Sequence, residues 1–191
     1  MTRPPDSLRT ARLLLRPWRD ADLAPFRAMN ADPEVMRFFA KPLSGDESDA
    51  VARRLMGFFD EGLGPWAVEV PGEAPFIGFV GAWRTRAELP FAPAVEVGWR
   101  LARPFWGRGY APEAARAALA DAFARLDLDE VVAYAAAANA PSIAVMRRLG
   151  MAEDAAGGFD HPGFPEADPN RRSVLFRLAR ETFRRGGRAA P

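Results

Sequence analysis

The sequence predicts a mixed α/β fold of the α+β type, with one strongly twisted central sheet of about six to seven strands flanked by helices. Three observations carry that prediction. Strand patterns at residues 66–70, 76–83 and 95–101 follow one another with only turn-rich links between them, which builds an antiparallel meander first. A helical stripe over residues 112–126 then separates the third of these from another strand pattern at 130–135, and such a crossover leaves the two strands parallel. The chain has 191 residues, 49% of them hydrophobic, enough to bury one core without staples and too few to require a second domain.

Residues 1–7 (M-T-R-P-P-D-S) are polar and proline-interrupted, and are expected to be a flexible N-terminus ahead of a single domain over residues 8–180. A first strand is expected over 8–16, stopped by Pro17. Asp20 is placed to cap a helix through Met29, and Asp32 with Pro33 starts a short one whose Val35, Met36, Phe38 and Phe39 read as core. Ser44 and Glu47 stand at capping-box spacing before a helix in which Val51, Leu55, Phe58 and Phe59 recur at helical intervals, with Gly62 after it. P-G-E-A-P at 71–75 is a hairpin signal inside the meander. Alternation along Val95–Leu101 sets Glu96, Gly98 and Arg100 on one face and Val97, Trp99 and Leu101 on the other. Pro112 opens the next helix, with Ala115, Ala118, Leu119, Ala122 and Leu126 on one stripe. A short helix at 141–149, ended by Gly150, and a closing strand at 173–178 complete the domain. The link 152–170 is long and rich in Gly and Pro, and it holds five acids and no arginine. It reads equally as a solvated loop or as a receiver for a cationic substrate. Residues 181–191, with Arg184, Arg185 and Arg188, are expected to be a loose basic tail.

Composition excludes several classes of function. With 26 basic against 25 acidic residues the net charge is +1, so nothing pulls the chain toward nucleic acid, and the tail arginines are too few and too terminal to change that. The absence of cysteine excludes a disulfide framework, thiolate metal sites and a cysteine nucleophile. A single histidine, His161, argues against a His-rich site, so no metal is expected. No apolar run is long enough to span a bilayer and no signal-like segment follows Met1, which leads us to expect a soluble, cytoplasmic protein without a membrane partner.

Chemistry gathers at W-G-R-G-Y-A, residues 106–111, between strand Val95–Leu101 and the helix opened by Pro112. A strand running through Gly-x-Gly into a helix directs unpaired N–H groups at the positive end of the helix dipole, where phosphate binds. The glycines alone are weak evidence, since such pairs commonly mean a tight turn. No Gly-Lys-Ser/Thr follows, so this is not a P-loop, and a preceding antiparallel meander argues against a dinucleotide-binding unit.

A second motif begins 30 residues beyond Gly109 and directly follows a strand: N-A-P-S-I-A-V-M-R-R-L-G-M, from Asn139 to Met151. Together the two resemble the GNAT superfamily of acetyl-CoA-dependent N-acetyltransferases, whose pyrophosphate loop Q/R-x-x-G-x-G/A matches residues 106–111 with Trp106 in place of Gln or Arg. W-G-x-G-Y-A-x-E-A, the opening L-x-x-x-R-L-L-L-R-P-W and N-x-x-S look like the RimJ/RimL branch, over residues 8–178. The resemblance implies a GNAT fold, splayed between its fourth and fifth strands, 95–101 and 130–135. It implies acetyl-CoA as co-substrate, its pantetheine paired along Val97, Trp99 and Leu101 and its pyrophosphate on the amides of Arg108, Gly109, Tyr110 and Ala111. Side chains of Arg108 and Arg103 are further cations there, although Arg103 reads equally as a solvated arginine. Asn139 matches a pantetheine-bonding position and is also placed to cap its helix.

The implied reaction is direct attack of a neutral amine on the thioester, without an acyl-enzyme. Glu96 is the candidate base, acting through water, with a structural ion pair as its other reading. The tyrosine acid common in the family corresponds to Met146 here, so Ser142 stands in as the group that protonates or hydrogen-bonds the leaving sulfur; its other role is first-turn capping. Phe159-Asp160-His161-Pro162, with Arg171-Arg172, resembles a stretch of some relatives and makes Asp160 and His161 candidates for substrate binding, His161 also as a second base. Those relatives often carry histidines where this chain has Asp168 and Ser173. The acceptor is expected to be a protein or peptide N-terminus or a small-molecule amine such as a polyamine, aminoglycoside or amino acid. Two other readings stand beside it: a catalytically silent acyl-CoA-binding or sensing module, and transfer from a longer acyl-CoA. Relatives form homodimers, which extends that expectation to this chain, and branch names do not identify a substrate.

Overall fold

The computed structural model describes residues 6–187. Residues 1–5 of the expected flexible N-terminus and 188–191 of the tail, Arg188 included, lie outside the described residues.

One nine-stranded sheet organises the chain. Strands β1 (Leu8–Arg9), β2 (Leu14–Arg16), β3 (Gly64–Val70), β4 (Ala74–Arg84) and β5 (Val95–Leu101) are antiparallel neighbours in sequence order. β6 (Glu130–Ala136) lies parallel to β5, as the crossover requires. β7 (Ala152–Glu153) and β8 (Phe159–Asp160) both pair with β9 (Arg172–Ala179), which is antiparallel to β6 along its whole length. The count exceeds six to seven for two local reasons. Residues 8–16 are a hairpin and not one strand, because the Thr10 hydroxyl accepts from the Leu13 amide (2.9 Å) and folds the chain back. The link 152–170, expected as a loop, contributes two short strands because β9 offers it an open edge.

The helices follow their caps. Asp20–Asp22 is a 3₁₀ turn and α1 (Leu23–Ala31) starts after it, since Asp22 rather than Asp20 bonds the Arg19 amide (2.7 Å). Asp32 caps α2 (Pro33–Met36), and Ser44 and Glu47 form the reciprocal box that opens α3 (Gly45–Gly57). α4 (Tyr110–Arg125) and α5 (Ala140–Arg148) flank β6 in sequence. The expected loose tail begins as α6 (Arg180–Gly187), whose Phe183 ring lies 5.4 Å from that of Phe123.

α4 packs on one face of the sheet, burying Ala114, Ala115, Ala118, Leu119 and Ala122 against Val80, Val97 and Leu101; small side chains let it lie close. α1, α2 and α3 cover the other face through Phe26, Met29, Val35 and Leu55 against Phe76 and Phe79. Beneath them Arg16 is 3% exposed, bound by both oxygens of Asp22 (2.8 Å each), by Glu69 (2.9 Å) and by the Pro75 carbonyl. Such a buried charge persists only because every donor has a partner. No helix among the described residues is long and apolar enough to cross a membrane.

Candidate active site

β5 and β6 share a single paired position, Glu96 opposite Val132, and then part. Beyond Glu96 the β6-facing edge of β5 therefore has no strand beside it, and a cavity of about 480 Å³ opens there. Glu96, Val97, Trp99, Asn139, Ser142 and His161 all line it, so residues spread over 66 positions meet at one opening. Val97 (3% exposed) and Leu101 (5%) turn their side chains into the core under α4, so what they present to the gap is backbone; Leu101 does not line the cavity.

The loop after β5 is built for an anion. Gly107 (φ 73°) and Gly109 (φ 78°) occupy left-handed backbone that favours glycine, and Gly109 is the N-cap of α4. The first amides of α4, from Tyr110 and Ala111, lack acceptors within the helix, and the dipole favours negative charge there. The Tyr110 side chain is buried, leaving its amide as the available group. Trp106 holds the loop's start through its indole N–H, which donates to the Leu101 carbonyl (2.7 Å). Arg108 is exposed and paired with Glu73 in the β3–β4 turn (2.6 Å). An exposed pair of this kind is worth less than about 1 kcal/mol, so a phosphate can displace the carboxylate. Arg103 is exposed in the 3₁₀ turn before the loop and does not line the cavity.

A clasp from the β1–β2 hairpin fixes this loop from behind. Arg12 donates to the Arg108 carbonyl (2.8 Å) and pairs with Glu113 in the first turn of α4 (2.5 Å). Glu113 also accepts from the Thr10 hydroxyl (2.6 Å) and the Arg12 amide (3.0 Å). Burial pushes the Glu113 carboxyl up, but these hydrogen bonds outweigh it and hold the group below its ordinary range.

Glu96 is 8% exposed, and its Oε2 has no hydrogen-bond partner. Burial raises its pKa to about 7, against a hydrogen bond from Trp83 and the fields of Arg54 and Arg86. No ion pair to Glu96 exists among the described residues, so the structural-pair reading is not what the geometry contains. The Trp83 ring lies over Gly98, where an added Cβ would come within 2.6 Å of it. Tyr134 of β6 enters the same cavity, and burial together with the Glu96 charge pushes its phenol up, keeping it protonated.

Asn139 serves the cap: its Oδ1 accepts from the Ser142 amide (3.2 Å) at the start of α5. That leaves its Nδ2 and the half-buried Ser142 hydroxyl toward the cavity, with Met146 (1% exposed) at the tyrosine position behind them. His161 stands among Tyr134, Phe159 and Phe164, and its Nδ1 accepts from the Gly163 amide (2.9 Å). Burial lowers its pKa and keeps the ring neutral. Asp160 does not line the cavity; strand alternation turns it away from Phe159, toward Arg171 (3.7 Å) and Arg172 (3.5 Å). Asp154 and Glu153 are likewise paired, with Arg177 (2.8 Å) and Arg147 (3.4 Å), so these acids of the 152–170 segment answer the chain's own arginines and not a cationic substrate.

Sequence reasoning missed Arg12, Tyr134, Arg54 and the pocket role of Arg100. Arg12 is the first arginine of the L-x-x-x-R-L-L-L-R opening, which was a usable signal. Tyr134 and Arg54 depend on parallel register and helix placement, for which no local signal exists. No cluster of three or more His, Cys, Asp or Glu side chains suited to a metal ion occurs among the described residues.

Residues 12–152 match the Acetyltransferase (GNAT) domain. FsC-acetyl coenzyme A-N(2)-transacetylase of Aspergillus fumigatus is 34% identical over 157 residues, 76% of this chain and 64% of its own length, so the match spans less than two thirds of that relative. An acetyltransferase structure from Agrobacterium tumefaciens str. C58 superposes with a TM-score of 0.74 at 29% identity, covering 94% of this chain and 98% of that one. Mycobacterium smegmatis RimJ, solved in complex with CoA-disulfide, has a TM-score of 0.74 at 21% identity over 98% and 97% of the two chains, a likeness of fold. Sheet splay, glycine loop and family match converge, and the chain belongs to the GNAT acetyltransferase family.

Proposed function

We propose that this chain is an acetyl-CoA-dependent N-acetyltransferase acting on a primary amine, with Glu96 as general base and Ser142 as the group that meets the leaving sulfur. The observation that carries the proposal is the carboxylate of Glu96: buried, without an ion-pair partner, and lining one cavity with Ser142 and Asn139 where β5 and β6 part. Residues present fit acetyl-CoA. The α4 amides and Arg108 suit its pyrophosphate, and the open edge of β5 suits its pantetheine amides.

When bound, acetyl-CoA brings an electrophilic thioester carbonyl. The amine nitrogen forms the new bond to that carbon, the carbon–sulfur bond breaks, and the amine proton passes to Glu96. A base with pKa about 7 is matched to this work at neutral pH. Freeing an α-amine at pH 7 costs about 1 kcal/mol, against about 4–5 for a lysine side chain, so α-amines are the acceptors this base serves best. The sulfur leaves as thiolate, accepting a hydrogen bond from the Ser142 hydroxyl, and the proton taken by Glu96 balances it; the Ser142 amide is already engaged by Asn139. Tyr134 and His161 wall the cavity on the β6 side.

A thiol-release screen with acetyl-CoA over amines and N-terminal peptides, with product masses recorded, tests the proposal. Acetylated product with at least one amine is expected; CoA binding without thiol release across the panel would refute it in favour of a silent binding module.

A further inference from the structure

Among the described residues five cations line the cavity, Lys41, Arg54, Arg84, Arg86 and Arg100, against one carboxylate, Glu96. Three of the five are already answered: Lys41 by Glu47 (2.5 Å), Arg84 by Glu61 (3.5 Å) and Arg86 by Glu88. Arg54 and Arg100 form no ion pair among the described residues, although the Arg54 charge acts on Glu96 across the cavity. We infer that the acceptor amine carries a carboxylate, received by Arg54 of α3 and Arg100 of β5, an inference that rests on the acetyl-transfer reading of the site.

Arg100 is the stronger half of the argument. Its Nη1 donates to Asn30 (2.6 Å), the Phe39 ring covers its guanidinium at 4.0 Å, and its Nε is enclosed with no acceptor. Removing a guanidinium from water without a counter-ion is unfavourable, and burial followed by the Arg54 charge brings its pKa down to about 10, which still leaves it protonated at neutral pH. Asn30 is neutral and spends its own amide on Ser48 (2.8 Å), so among the described residues no carboxylate pairs with this charge. Arg100 lines the cavity, and a guanidinium there is a receiver for carboxylate.

The arrangement also puts the base and this receiver on one wall of the cavity. Glu96 and Arg100 share a face of β5 four residues apart, about 13 Å between their α-carbons, with the Trp83 ring between them over Gly98. One end takes a proton from the amine; the other holds the anion. The α4 dipole and the glycine loop lie on the opposite face of β5, so the phosphates of CoA are served elsewhere and do not account for Arg100. A polyamine or aminoglycoside would bring a second positive charge beside two arginines that have no ion-pair partner among the described residues. Free amino acids and peptides with an acidic side chain share the required chemistry.

The test compares matched acceptors on the intact chain: free amino acids against their α-amides, peptides with acidic side chains against the corresponding amides, and spermidine. A preference of at least tenfold in kcat/KM for carboxylate over amide supports the inference, and the free or peptide arm that shows it identifies the source. In Arg54→Gln, on the exposed side of the cavity, that ratio is expected to fall to within threefold while the acetyl-CoA Kd by calorimetry stays within twofold. Arg100→Gln should do the same, and Arg185→Gln on α6 should leave the ratio intact. Acids and amides acetylated equally, or spermidine preferred, overturns the inference and leaves acetyl transfer standing. Acetylation of no amine at all overturns both.

Discussion

Glu96→Gln separates the chemistry of this site from its cost to the fold. Burial raises the carboxyl from 4.5 to about 7, a difference of about 3 kcal/mol between native and unfolded chains at 1.36 kcal/mol per pH unit. The native protein holds the proton more tightly, so this stability is fully present below pH 4.5 and is lost as pH rises through 7. Glutamine cannot ionise and removes the loss. Urea unfolding at pH 5 and pH 8 should therefore show wild type declining relative to the variant by about 2–3 kcal/mol. Taking the difference between proteins matters, because the lowered pKa of His161 gives both a slope of opposite sign below 6.5. Turnover should move the other way. Removing a general base costs about 100-fold or more, and the limb of the rate profile with apparent pKa near 7 should vanish. Identical pH-dependence of stability in the two proteins would refute the buried titration, and a loss below threefold with the limb intact would refute the base.

Other substitutions report on the remaining parts. Gly109→Val forces a β-branched residue to φ 78° and brings its Cβ to 3.3 Å from Arg12; acetyl-CoA binding by calorimetry should be lost while far-UV circular dichroism is retained, and normal binding would refute the loop assignment. Ser142→Ala should lower turnover about tenfold at unchanged acetyl-CoA affinity, and normal transfer would remove the serine from the mechanism. Asp22→Ala strands the buried Arg16 and should destabilise the chain by about 3–5 kcal/mol in urea, with a loss below 1 kcal/mol counting against the buried pair.

What the sequence made legible was whatever local chemistry decides. Capping residues placed the starts of α2 and α3, alternation gave Val95–Leu101 its limits, and the positive φ of Gly107 and Gly109 follows from glycine in a strand-to-helix turn. Long-range partners decided the rest. The hairpin at 8–16 is held against α4 because Thr10 donates to Glu113, 103 positions away. Tyr134 faces Glu96 only because β5 and β6 register at Val132, and parallel register leaves no local trace. The acids of 152–170 looked available until β9 brought Arg172 and Arg177 beside them.

The Thr10–Arg12–Glu113 clasp bears on how far this protein can be trimmed. A chain cut to the matched residues 12–152 would keep the glycine loop, Glu96 and Ser142, yet lose the Thr10 hydroxyl that braces the loop and the strand β9 that borders β6. The unit that holds the braced loop and the whole sheet is therefore longer than the recognisable one, with the Thr10 side chain ahead of the matched residues and the last strand well behind them.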